Sequence, residues 1–221
     1  TPYHILLALG LADKGDRLLI VNDFDGMDLY LQAIRKHYGN RLGAIVPLPG
    51  RRNAGEVLWR RILISIKNKK IVREYMDADD LGGLVMFNDR TVEGQYGAYL
   101  AHRRNIPAAY VEDGLAAYVE PKDTQTSFLK SMLSKLLFGT FYENIKIIGT
   151  SRWVSEVRAL YPNLLIPQLS SLPRKTIEHD IFSKILQGFL DDLTSDVIDD
   201  LEAIFILPHP DLLVPSIGGP V

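Results

Sequence analysis

Short runs that are apolar at nearly every position alternate along this chain with longer stretches in which apolar residues recur every three or four positions. The short runs fall at residues 17–21, 42–46, 84–87, 108–111, 146–148, 164–166 and 203–207, and most are rich in Val, Ile and Leu. Runs this brief and continuous predict strands covered on both faces. The longer stretches predict helices over residues 5–12, 27–38, 54–76, 92–105, 128–138, 154–160 and 176–201, the last interrupted near Thr194. Strand and helix signals in alternation predict βαβ units, hence an α/β fold on parallel sheets. After Gly139 the apolar-basic helix ends and a new strand is predicted at Lys146. This shift predicts two Rossmann-like domains, residues 1–142 and residues 143–221. The chain opens on Thr1 and stops just after Gly218-Gly219, so it reads as partial at both ends, with the second domain only begun.

In open parallel sheets the ligand crevice lies outside the carboxyl ends of the strands. The predicted strands end on Asn22-Asp23, Asn88-Asp89, Glu112-Asp113-Gly114, Gly149-Thr150-Ser151 and Pro208-His209-Pro210. Composition narrows what such loops can do. With 25 basic and 27 acidic side chains the net charge is -2, which gives no overall pull toward nucleic acid, so any anion is held by local groups. Cysteine is absent, which removes thiolate metal sites and thiol nucleophiles and favours a reducing compartment. No apolar run reaches the roughly 18 to 20 residues of a membrane helix, and no signal-peptide pattern opens the chain, so the expected location is cytoplasmic.

Two stretches bear on partners. Arg51-Arg52, Arg60-Arg61 and the lysines of residues 67–70 form a basic segment that reads as a solvated helix face or as a dock for an anionic acceptor or a membrane surface. Phe128, Leu129, Met132, Leu133, Leu136 and Leu137, interleaved with Lys130 and Lys135, read as core packing, an interfacial helix or a homodimer contact.

The sharpest chemistry pairs Glu112-Asp113-Gly114 at one strand end with His209-Pro210 at another. A carboxylate at a strand end, beside a glycine that lets backbone approach closely, is suited to take a proton from an acceptor hydroxyl. An imidazole whose next residue is fixed by a proline ring can hydrogen-bond or protonate a departing phosphate oxygen. A base in one lobe and a phosphate contact in the other describe glycosyl transfer in a cleft. Read more blandly, Asp113 is a turn residue before a helix and His209 a loop histidine between prolines.

Val111-Glu112-Asp113-Gly114-Leu115-Ala116-Ala117-Tyr118 is similar to the acidic-acidic-glycine motif of bacterial sialyltransferases and capsule polysialyltransferases. Leu207-Pro208-His209-Pro210 resembles their His-Pro motif, and Thr1-Pro2-Tyr3-His4 the Thr-Pro stretch that follows their first strand. Residues 165–170 resemble a Gln-containing strand end of their second domain. The resemblance implies a GT-B architecture and an inverting mechanism with no required metal. It implies a CMP-linked sialic acid as donor and a cell-surface glycan as acceptor. It makes Asp113 the general base, with Glu112 and Gly114 shaping its loop, and sets His209 and Pro210 at the donor phosphate. Thr1 and Pro2 would lie near the donor, and Thr150 and Ser151 join them as strand-end candidates. No cofactor is implied beyond the nucleotide-sugar substrate. The family's serine segments beyond the His-Pro motif have no counterpart here; Ser216 stands in no matching context.

Other readings compete. Asp23-Phe24-Asp25-Gly26 has the look of the start of haloacid-dehalogenase-type phosphohydrolases, in which the first Asp attacks phosphorus and magnesium neutralises the phosphate. Its second acidic pair would have to come from Asp191-Asp192 or Asp199-Asp200, and Met27 stands where Thr or Val is expected. Asp23-Phe24-Asp25, or Asp77-Ala78-Asp79, also has the Asp-x-Asp pattern that binds metal in the other large glycosyltransferase fold. Transferases of CDP-linked polyol phosphates share the His-Pro motif. A non-catalytic α/β binding module is the reading in which both motifs are turns.

Overall fold

The computed structural model describes residues 2–24, 26–50, 58–78, 80–112, 114–119 and 128–194. Its helices are α1 (Pro2–Leu11), α2 (Met27–Tyr38), α3 (Leu58–Met76), α4 (Val92–Arg103), α5 (Phe128–Phe138), α6 (Pro167–Ser170) and α7 (Gln187–Thr194). Its strands are β1 (Arg17–Asn22), β2 (Ala44–Pro49), β3 (Leu84–Met86), β4 (Ala108–Val111), β5 (Glu156–Ala159) and β6 (Arg174–Thr176). All pairings are parallel: β1 with β2, and β3, β4, β5 and β6 in that order in a four-stranded sheet. This is the α/β fold that the alternation predicts.

Local rules place the helices. Gly26, at φ 84°, turns the chain left-handed into α2, whose Met27, Leu31, Ile34 and Tyr38 make a buried stripe at helical spacing. Arg35, Lys36 and His37 complement its carboxyl end. Thr91 caps α4, its Oγ1 accepting from Gly94 N at 3.0 Å.

β4 is the centre of the larger sheet and is buried along its whole length. Ala108 and Tyr110 pack in one cluster with Val72 and Met76 of α3 and with Tyr96 of α4. Val111 packs in another, with Leu7 of α1 and with Ile177 and Ile181 beyond β6. Helices therefore cover both faces, and the strand reads as continuously apolar. A third cluster joins Ile5 and Leu9 of α1, Ile20 of β1, the α2 stripe and Phe189 of α7. At the edge, β6 presents Arg174, Lys175 and Thr176 to solvent, side chains that blunt further strand pairing.

Three expectations are corrected. Residues 154–160 read as helix because Val154, Val157 and Leu160 fall three apart, yet residues 156–159 form β5, drawn into the slot beside β4. Residues 146–148 and 164–166, expected as strands, are irregular; their isoleucines pack against the main core without a ladder partner. The helix expected over residues 176–201 is replaced, up to Thr194, by a 3-10 turn at His179–Lys184 and by α7; residues 195–201 lie outside the described residues. β5 pairs with β4 in one sheet, on either side of residues 142–143 in the chain. The strand expected at residues 203–207 lies outside the described residues. No helix among the described residues is long and apolar enough to cross a membrane.

Candidate functional site at the carboxyl edge of the larger sheet

Residues from four parts of the chain meet at the carboxyl ends of β3 and β4. The N-terminal turn of α1 reaches both. His4 stacks on Phe87, which follows β3, with ring centroids 5.3 Å apart and planes 17° from parallel. The Tyr3 hydroxyl donates to Glu112 Oε1, immediately after β4, at 3.5 Å. Burial pushes the His4 pKa down to about 4, so its imidazole is neutral at physiological pH.

Glu112 is the hub. It is 2% exposed. Its Oε2 accepts the Leu160 amide, just past β5, at 3.0 Å, and also the Tyr118 hydroxyl in a short bond. Tyr118 comes back to this carboxylate because Gly114, at φ 95° and ψ −144°, reverses the chain in a conformation that side-chain-bearing residues rarely adopt. A 3-10 turn at Leu115–Ala117 completes the return. The Tyr118 oxygen also accepts the Tyr161 amide at 3.2 Å. The rings of Tyr118 and Tyr161 meet edge to face, and Tyr161 leads on to His179, 5.3 Å away. A carboxylate this enclosed, facing several donors, is a positioning group. It fixes where the backbone leaves β4.

A second buried carboxylate stands one strand away. Asp89, 0% exposed, accepts the amides of Gly149 at 2.6 Å and Ser151 at 2.9 Å. Burial raises its pKa, and these two hydrogen bonds work against that rise. Gly149 lies at φ 88°, and a Cβ there would come within 2.3 Å of the Tyr110 ring. The loop thus needs glycine where it crosses β4.

The sequence candidates are distributed as follows. Pro2 opens α1 one residue before Tyr3, and Glu112 and Gly114 flank the position of Asp113, so these three share one edge. Thr150 and Ser151 belong to the Asp89 tether: Thr150 Oγ1 donates to the Ile147 carbonyl at 2.8 Å, and Ser151 is buried. Thr1, Asp113, His209 and Pro210 lie outside the described residues, as do Asp25, Asp79 and Asp199-Asp200. Asp192 is bound to Lys36 Nζ at 2.7 Å and His37 Nε2 at 2.9 Å, at the carboxyl end of α2. Asp23 precedes the other end of that 12-residue helix, about 18 Å long at 1.5 Å per residue, so the two do not share a magnesium site. Ala78 accepts from Arg104 after the end of α3, on the amino-terminal side of β3. Among the described residues no three His, Cys, Asp or Glu cluster as a metal site.

Sequence reasoning did not assign the tyrosine pair, the Leu160 amide or the role of Asp89. Tyr118 carried a signal, since it stands four residues after Gly114 inside the quoted motif. Comparison with family models, with curated proteins and with solved structures gives no match for this chain.

Proposed function

We propose that this chain is an inverting glycosyltransferase that moves a sialic acid-type sugar from a CMP-linked donor to a surface glycan acceptor. The supporting observation is the Tyr3–Glu112 contact. It brings the Thr-Pro stretch and the acidic-acidic-glycine stretch, 109 residues apart in the chain, to one sheet edge. Glu112, locked by Tyr3, Tyr118 and Leu160, fixes the exit of β4, and Asp113 follows it directly. In this mechanism Asp113 takes the acceptor hydroxyl proton as that oxygen bonds to the anomeric carbon from the face opposite the nucleotide. The bond from that carbon to the phosphate oxygen breaks, its electron pair stays on the phosphate, and His209 hydrogen-bonds or protonates the departing oxygen. The enzyme works at the cytoplasmic side, where nucleotide sugars are made, on an acceptor carried by the membrane.

Calorimetric titration with CMP, CDP, UDP and GDP tests this, with and without magnesium. CMP binds without metal, and His209→Ala weakens it by about 1 to 3 kcal/mol, the scale of a lost charge-assisted contact. Asp113→Asn keeps CMP affinity and slows transfer by about 10² to 10⁴. A folded chain that binds no cytidine nucleotide overturns the reading.

A further inference from the structure

The first half of α3 and the outer side of α5 present apolar side chains to water. On α3, Ser65 and Asn68 are buried, and Asn68 Nδ2 donates to the Pro49 carbonyl and to Glu93 Oε1, both at 2.9 Å. Lys69 caps the end of α5 through the Phe138 carbonyl at 2.9 Å, and Arg73 binds the Tyr96 hydroxyl. These polar anchors set the rotation of α3 and leave Trp59, Leu63 and Ile66, spaced as one helical stripe, on the outside. The adjacent α5 exposes Met132, Leu133, Leu136 and Leu137, with Leu136 82% exposed. Arg60, Arg61, Lys67, Lys70 and Lys135 are exposed among them, and Arg60 lies over the Trp59 ring. The two helices hold eight Lys and Arg and one Glu, in a chain whose net charge is -2.

We propose that the exposed apolar side chains of α3 and α5, ringed by these cations, dock this protein on the surface of an anionic lipid bilayer. The chemistry selects that occupant. An interfacial helix buries an apolar face at the headgroup boundary while lysines and arginines reach anionic lipid and tryptophan sits at the interface. A second copy joined through the same face would bring cation against cation across a two-fold axis. Nucleic acid would match the charge and leave Leu133 and Leu136 in water. The inference stands apart from the transferase reading, because it uses none of the carboxyl-edge residues.

Flotation of the whole chain tests it, using vesicles of phosphatidylcholine alone and vesicles in which about a third of the lipid is phosphatidylglycerol. The chain floats with the anionic vesicles and not with the neutral ones. Leu133→Ser with Leu136→Ser lowers vesicle affinity by about a hundredfold, about tenfold for each lost side chain. Lys67→Gln with Lys70→Gln, on the other helix, lowers it by about thirtyfold. Circular dichroism establishes that both variants are folded. Absence of vesicle binding, equal binding to both lipids, or unchanged affinity in both variants overturns the proposal. So does a concentration-dependent dimer that Leu136→Ser dissociates while vesicle binding stays, which would make this face a contact between copies.

Discussion

Neighbouring strands of the larger sheet each end in a buried carboxylate, and the two are held in opposite ways. Asp89, after β3, is satisfied by backbone amides of a single loop, Gly149 and Ser151. Glu112, after β4, is satisfied mostly by side-chain hydroxyls drawn from α1 and from its own return loop, with one amide from beyond β5. Backbone amides are fixed by the fold, so Asp89 closes a loop. Hydroxyls depend on where separate segments come to rest, so Glu112 registers α1, β4 and β5 against one another. The contrast teaches that a buried acid at a strand end closes a loop or registers separate segments according to what donates to it.

The largest effect is expected where the Asp89 loop crosses β4. Gly149→Ala places a Cβ within 2.3 Å of the Tyr110 ring at a positive φ, and costs about 3 to 5 kcal/mol in a denaturant titration. A cost below 1 kcal/mol would show that the loop yields and that Asp89 does not hold it rigidly.

Asp89→Asn comes next. It sets an amide NH₂ against one of the two buried N–H groups and costs about 1 to 3 kcal/mol. The pH dependence carries a sign. An unfolded Asp ionises near 3.8, and burial raises the folded value, so the folded chain keeps a proton that the unfolded chain releases. The Asp89 contribution is full below the unfolded value and is lost as pH rises through the folded one. The Asn variant removes that decline, so thermal melts across this window would differ in slope from the wild type. Parallel slopes would count against it. Glu156 behaves oppositely. Burial opposes its charge, but hydrogen bonds from Lys175 and Arg158 hold it below its ordinary value, so its contribution is lost as pH falls.

The smallest effect is Tyr118→Phe, which removes one hydroxyl from Glu112 at about 1.5 kcal/mol. On the transferase reading its sharper readout is kinetic: transfer slows while CMP affinity holds, as expected of a group that holds the exit of β4. Equal loss of both would make Tyr118 a general structural residue like Asp89.

Much of this was legible. β4, α2 and α5 match the predicted bounds because each is a strong local pattern, one wholly buried and two amphipathic. β5 was misread because Val154, Val157 and Leu160 fit a helical period, and only the vacant place beside β4 decides for strand. The edge bearing Glu112 and Gly114 was legible as a motif. The tie from Asp89 to its loop was not, since it runs 60 residues along the chain to backbone amides that leave no mark in side-chain identity. The polar anchoring of the first half of α3 was equally hidden, because a buried Asn68 looks like any surface asparagine until its partners are known.

β4 has a ladder on each side and a helical layer on each face. In deuterium oxide its amides should be among the last to exchange, opening only with the whole domain, whereas exposed β6 should exchange early. Glu112 at its end therefore hangs from one of the stiffest anchorages among the described residues. On the transferase reading, a substrate arriving there meets a Glu112 whose placement was settled when the chain folded, and little further ordering entropy is lost on binding.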